Sequence, residues 1–236
     1  MIQVESLYKK FGKNKVLEGL DLHIQNGGIF AILGPNGSGK TTLIKAILGM
    51  VLPNKGKISV LGDSIKNKWK YRQEIEYLPQ IANFPGNLKV KELITMIKDL
   101  RNKPSEESHL ITLFGLEPFL DKKLANLSGG TKQKVNIVLT FMFNSPIIIL
   151  DEPTNGLDPQ AVIHLKELIQ KEKQKGKTIL VTSHIMQFVE EVADNIVYLL
   201  EGKIYFKGSI AELMKKTDQV DFEHAIATIA NTKTNA

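Results

Sequence analysis

The sequence predicts an α/β fold built on a parallel sheet, and three stretches carry that expectation. Gly28–Leu33 is a short apolar run bounded by glycine, and Leu43, Ile44, Ile47 and Leu48 then form a helical stripe, which reads as strand, loop, helix. Pro146–Leu150 and Thr178–Val181 are further apolar runs of strand length, as expected where a parallel sheet is buried on both faces.

Between the first strand and its helix lies Gly34-Pro35-Asn36-Gly37-Ser38-Gly39-Lys40-Thr41, followed by Thr42. It fits G-x-x-x-x-G-K-[ST] in the strand-to-helix setting that the motif needs. Glycines at 34, 37 and 39 let the backbone curl with its N–H groups inward, around a polyphosphate at a helix N-terminus. Lys40 can reach the β- and γ-phosphates, and the Thr41 hydroxyl can ligate Mg²⁺. The competing reading is a glycine-rich turn that merely caps a helix.

Taken in order, residues 1–25 read as β-structure, with Leu20, Leu22 and Ile24 alternating with Asp21 and His23. Tyr8 and Phe11 lie beside lysines and outside any apolar stripe; either can stack on a base, and ordinary packing accounts for either as well. Ile58–Val60 and Ile75–Leu78 read as strands. Between them Lys66–Arg72 is basic with interleaved aromatics, and a solvated helix with Trp69 packed beneath is favoured over a headgroup or nucleic-acid patch.

Pro79-Gln80 ends a strand, and Ile81–Asn87 is a loop rich in breakers. Val90, Leu93, Ile94, Ile97 and Leu100 then mark an amphipathic helix. With more helix expected over 105–125, this stretch reads as a helical insertion. Ser128-Gly129-Gly130 opens the next helix, where Ser128 is either an N-cap or part of a second anion site, the cap being the simpler reading.

Asp151-Glu152 stands at the carboxyl end of a strand, the edge where ligands bind in such sheets. Asp151 can hold Mg²⁺ through water, and Glu152 can orient or deprotonate an attacking water. Asp158-Pro159 is an N-cap and first-turn pair, which explains Asp158 without any function. His184 follows a strand at the same kind of edge, so a catalytic or phosphate-sensing role stands level with a structural one. Residues 196–206 read as a hairpin, and a short helix near 209–216 precedes a polar, weakly helical tail.

The chain has 236 residues, 42% hydrophobic and 24% charged, ordinary for a globular protein. With no cysteine, disulfides, thiolate metal sites and cysteine nucleophiles are excluded. The amino terminus carries no visible secretory signal, and the longest apolar passage, 135–150, is interrupted and too short to span a bilayer. A soluble, cytoplasmic protein is expected. The net charge of +6 reads as a lysine-rich solvated surface, with a membrane or nucleic-acid partner as the lesser reading.

The order of these pieces resembles the ATP-binding cassette (ABC) ATPase family over about residues 2–215. Leu127-Ser128-Gly129-Gly130, a strand ending Asp151-Glu152-Pro153, Gly156-Leu157-Asp158 and a late Ser183-His184 carry the resemblance. It implies a P-loop NTPase (RecA-like) core with an N-terminal antiparallel β-subdomain and an inserted helical subdomain. The ATPase domain would be 1–216, the helical subdomain about 82–145 and the tail 217–236. Carried onto matching positions, residues 34–42 are the Walker A loop and Phe11 becomes the adenine-stacking aromatic. Gln80 is the Q-loop glutamine, which senses Mg²⁺ and the γ-phosphate, and Ser128, Gly129 and Gly130 are the signature that contacts ATP on the opposite subunit. Asp151 and Glu152 are the Walker B carboxylate and catalytic base, Asp158 the D-loop aspartate and His184 the switch histidine. Thr131 departs from the family's usual glutamine.

The resemblance further implies ATP and Mg²⁺, a head-to-tail pair of ATPase subunits, expected as a homodimer, and a separate integral membrane permease. The chain would sit at the cytoplasmic membrane face through that permease, with no nucleic-acid partner. The Phe84-Pro85-Gly86 loop is the candidate docking surface. Within the family the sequence looks similar to ATPase subunits of multidrug-type exporters, and closest to those accompanying nitrous-oxide-reductase copper-centre maturation. A soluble or regulatory ABC ATPase not driving transport is the alternative.

Overall fold

A computed structural model of the chain describes residues 1–231, in two compact units, Met1–Arg72 with the chain from Thr178 onward, and Gln73–Lys177. The first segment carries β1 (Ile2–Phe11), β2 (Asn14–Ile24), β3 (Gly28–Leu33), α1 (Lys40–Ile47), β4 (Lys55–Val60) and β5 (Asp63–Ser64). The second unit carries β6 (Ile75–Leu78), α2 (Val90–Arg101), α3 (Glu107–Leu113), α4 (Gly129–Phe141), β7 (Ile147–Asp151) and α5 (Pro159–Gln174). The chain then adds β8 (Thr178–Thr182), α6 (Met186–Val192), β9 (Asn195–Leu200), β10 (Lys203–Gly208), α7 (Ile210–Thr217) and α8 (Phe222–Asn231).

In the first unit β2-β1-β4-β5 form an antiparallel sheet. Ile2 pairs with Ile24 and Val60, and Val4 with Leu22 and Ile58, so the buried residues of three strands share one face. A second sheet in the same unit has the order β10-β9-β3-β8. β3 is parallel to both neighbours, and Ile32 pairs with Thr182, which brings the carboxyl ends of β3 and β8 level.

In the second unit β6 and β7 are parallel, with Leu78 opposite Leu150. All five residues of β7 are buried. β6 also carries a buried glutamate, Glu76, paired with Arg101 at the end of α2 and accepting a hydrogen bond from Ser145 at 2.6 Å. Burial pushes its carboxyl up, against the pull of Ser145 and Arg101.

Two sequence expectations change. Lys66–Arg72 is a turn leading into a short 3-10 helix (Lys70–Glu74), and Trp69 is exposed instead of packed beneath a helix. The cause lies just after it: the Tyr71 hydroxyl donates to Ile47 O at 3.1 Å and Arg72 to Gly49 O at 3.1 Å, so these two side chains turn toward the end of α1 and Trp69 is left outside. Residues 217–236, expected as a polar and weakly helical tail, include α8, whose Phe222, Ala225, Ile226 and Ile229 are buried; residues 232–236 of that tail lie outside the described residues.

Candidate functional site

The loop between β3 and α1 is held by its own backbone. Gly34, Gly37 and Gly39 have φ of +146°, +80° and +108°, which residues carrying a Cβ rarely adopt. A Cβ on Gly34 would stand 1.9 Å from Leu199 O, so β9 backs directly onto the loop. Ser38 N–H donates to Pro35 O at 3.2 Å, Gly202 N–H donates to Ser38 O at 3.1 Å, and Lys40 Nζ donates to Gly34 O at 2.7 Å. Ser38 Oγ is buried with no hydrogen-bond partner among the described residues. Lys40 opens α1, and Thr41 and Thr42 follow it in the first turn.

At the level end of β8, Ser183 is buried, and its Oγ accepts from Ile185 N–H at 3.1 Å; His184 is exposed beside it. Phe11 ends β1 half exposed, with the Lys9 ammonium 4.7 Å from its ring centroid. Tyr8 is similarly exposed, its hydroxyl directed at Gly19.

In the second unit the β6–β7 register brings Pro79-Gln80 and Asp151-Glu152 to the same carboxyl edge. Asp151 and Glu152 are both buried, and Glu152 has φ +49°. A buried glutamate in left-handed backbone carries strain of about 1–3 kcal/mol, a cost that clusters at functional sites. Tyr77 hydrogen-bonds Asp151; burial and the Asp151 charge push the phenol up to about 12.

α4 braces this edge with residues that sequence reasoning missed. Gln133 Nε2 donates to Pro153 O at 3.0 Å, and Asn136 Nδ2 to Pro79 O at 3.2 Å, so one helix holds the segments after both strands. Ser128 is the N-cap of α4, its Oγ accepting from Thr131 N–H at 3.2 Å and contacting Thr131 Oγ1 at 2.8 Å. Thr131 thereby joins the cap. Gly129 has open space around it, whereas Gly130 packs on Gly156. Asp158 caps α5 through Ala161 N–H at 2.9 Å and pairs with Lys134 at 2.7 Å; these contacts hold its carboxyl below the usual range, the Lys134 hydrogen bond most of all. No sequence pattern announces Gln133 or Asn136, because their partners are carbonyls distant in sequence.

The loop fits a polyphosphate, with a glycine-lined backbone that admits no Cβ at 34 and an unspent hydroxyl at Ser38. In the first unit the Thr41 hydroxyl, and in the second the Asp151 carboxylate and the Gln80 amide, are each hard oxygen donors of the kind Mg²⁺ takes. Among the described residues no cluster of three His, Cys, Asp or Glu is placed to hold a metal, and Mg²⁺ carried on phosphates needs none.

A family model described as ABC transporter matches residues 17–155. This chain belongs to the ABC transporter family. The lantibiotic transport ATP-binding protein SrtF of Streptococcus pyogenes is 34% identical over 206 residues, 86% of this chain and 89% of that protein. The Nod factor export ATP-binding protein I of Burkholderia lata is 32% identical over 214 residues, 88% of this chain and 70% of that protein. A solved ATP-binding subunit of an ABC transporter superposes with TM-score 0.90 at 30% identity, over 98% of this chain and 99% of that one. The dimeric post-hydrolysis state of the ATP-binding cassette MJ0796, bound to ADP and Pi, gives TM-score 0.78 at 25% identity over 89% and 98%. The cassette has the P-loop α/β fold with its antiparallel β-subdomain and helical insertion. It is the ATP-binding subunit of an ABC transporter, an ATPase whose hydrolysis is coupled to transport. No helix among the described residues is long and apolar enough to cross a membrane.

Proposed function

We propose that two copies of this cassette pair head to tail on Mg-ATP and drive a separate membrane permease. The observation that carries the reading is the buried, left-handed Glu152 after Asp151 at the end of β7. In this scheme Phe11 stacks on adenine, and residues 34–42 surround the phosphates with backbone N–H groups. Thr41, Asp151 and Gln80 are the residues that would hold Mg²⁺, which when bound neutralises charge on the β- and γ-phosphates. Glu152 orients the attacking water and accepts its proton, while Lys40 and His184 donate to the γ-phosphate oxygens as charge develops. Ser128, Gly129 and Gly130 of the second copy close the site from the far side, with Asp158 tying α5 to α4 behind them.

Residues 1–216 form the ATPase domain in this reading, with 82–145 as its helical subdomain and 217–236 as a tail. The loop Phe84-Pro85-Gly86, next to the exposed Ile81, is the surface offered to the permease at the cytoplasmic membrane face. Export is the favoured direction, supported by relatives named for Nod factor export. Their names give no support to copper-centre maturation, so that narrower cargo assignment is set aside. The alternative, a regulatory ATPase that drives no transport, predicts hydrolysis without cargo movement in vesicles.

Mixing tests the pairing. Lys40→Ala and Ser128→Arg chains should each be inactive alone. Mixed, they should regain hydrolysis, because one composite site keeps an intact loop from one copy and an intact signature from the other. Failure to recover activity on mixing would overturn the head-to-tail arrangement.

A further inference from the structure

One segment of the chain carries a strong excess of positive charge. Residues 45–72 hold seven Lys and Arg against a single Asp, an excess that equals the whole formal charge of +6. All seven cations are exposed. Five of them, Lys55, Lys57, Lys66, Lys68 and Arg72, line one groove of about 540 Å³ within the first unit. The one acid, Asp63, pairs with Lys68 at 3.1 Å, and Lys57 lies opposite Glu5 in the β1–β4 register. The positive field therefore comes chiefly from the 66–72 turn and Lys55.

Large apolar side chains stand out of the same region. Trp69 is 60% exposed, Leu52 76% and Met50 60%. Leu52 lines the groove itself, and Trp69 sits between Lys68 and Lys70. An acidic protein or nucleic acid would explain the cations alone. Cations interleaved with an exposed indole and aliphatic side chains match the boundary of an anionic bilayer, where Lys and Arg meet headgroup phosphates and Trp sits among the glycerol groups.

We propose that residues 50–72 form a patch that docks this cassette directly onto an anionic lipid surface, with Trp69 as its interfacial anchor. The contact belongs to this chain alone and does not depend on the permease. It stands whether or not the transport reading holds.

Trp69 is the only tryptophan, so its fluorescence reports on this patch and nothing else. The purified chain is titrated with vesicles of phosphatidylcholine alone or mixed with phosphatidylglycerol, following Trp69 emission and co-sedimentation. The proposal expects a blue shift and co-sedimentation with the anionic vesicles only, both reversed by about 0.5 M salt. The triple variant Lys66→Glu, Lys68→Glu, Lys70→Glu should bind at least about tenfold more weakly, with hydrolysis in solution unchanged. Reversing the exposed Lys171, Lys203 and Lys215 to Glu should leave vesicle binding intact. Trp69→Phe, followed by sedimentation, should weaken binding only partly. No binding to anionic vesicles would overturn the proposal, as would equal loss in the two triple variants. Capture by polyglutamate or duplex DNA that vesicles fail to displace would likewise overturn it, in favour of an acidic macromolecule.

Discussion

Gly130 and Gly156 pack backbone against backbone: a Cβ on Gly130 would lie 2.5 Å from Gly156 O. The start of α4 and the turn before α5 therefore have matched shapes, and only glycine fits at 130. Gly129, its neighbour, has nothing within 4 Å of the equivalent point. Gly130→Ala should force the 154–158 segment to shift and lower both the unfolding midpoint and ATP hydrolysis, the latter by about tenfold or more. Gly129→Ala should leave the unfolding midpoint unchanged or raise it, since alanine favours a helix by up to about 1 kcal/mol over glycine. Thermal unfolding of the two variants side by side checks the contrast.

Gln133 makes a second, polar tie from the same helix. Replacing it with Leu keeps the approximate volume and leaves the buried Pro153 O without its donor. A loss of about 1–3 kcal/mol is expected from urea unfolding. Because Pro153 follows Asp151 and Glu152 directly, kcat should fall more than KM.

Gly34→Ala should disable the phosphate loop. The new methyl would lie 1.9 Å from Leu199 O, at a φ of +146° that alanine rarely adopts. Nucleotide affinity measured by calorimetry should drop by about tenfold or more, since the loop must open to relieve the overlap.

Glu172 is buried between Lys175, at 2.7 Å, and the buried Lys177. Burial alone would raise its carboxyl, but the two lysines outweigh that and hold it below its ordinary 4.5. Glu172→Gln strands the Lys177 ammonium and should cost about 3 kcal/mol at neutral pH. A depressed carboxyl stabilises the fold above its unfolded value and loses that contribution as pH falls through its folded value. The gap between wild type and Glu172→Gln should therefore narrow below about pH 4.5, which unfolding curves across pH will reveal.

The strand-loop-helix at 28–48, β7 and β8 were legible because each is a continuous apolar run closed by residues with distinct chemistry. α8 was legible in principle: Phe222, Ala225, Ile226 and Ile229 follow helical spacing, but their polar flanks masked the stripe. Over 66–72, lysines alternating with aromatics mimic an amphipathic helix in the sequence, whereas in the structure Tyr71 and Arg72 are claimed by Ile47 O and Gly49 O. Gln133 and Asn136 left no signal, since a buried amide's choice of carbonyl is decided by packing and not by spacing. Glu152 was found from its place at a strand end, but its left-handed backbone was visible only in the structure.

The role of Glu152 is decided by hydrolysis measured on the purified chain beside its Glu152→Gln variant. Mg²⁺-dependent turnover is expected in wild type, with a loss of about 100-fold or more in the variant and a dimer of the variant that persists while ATP is present. Turnover in Glu152→Gln close to wild type would contradict that role, because Glu152 would then not be the group that orients and deprotonates the attacking water.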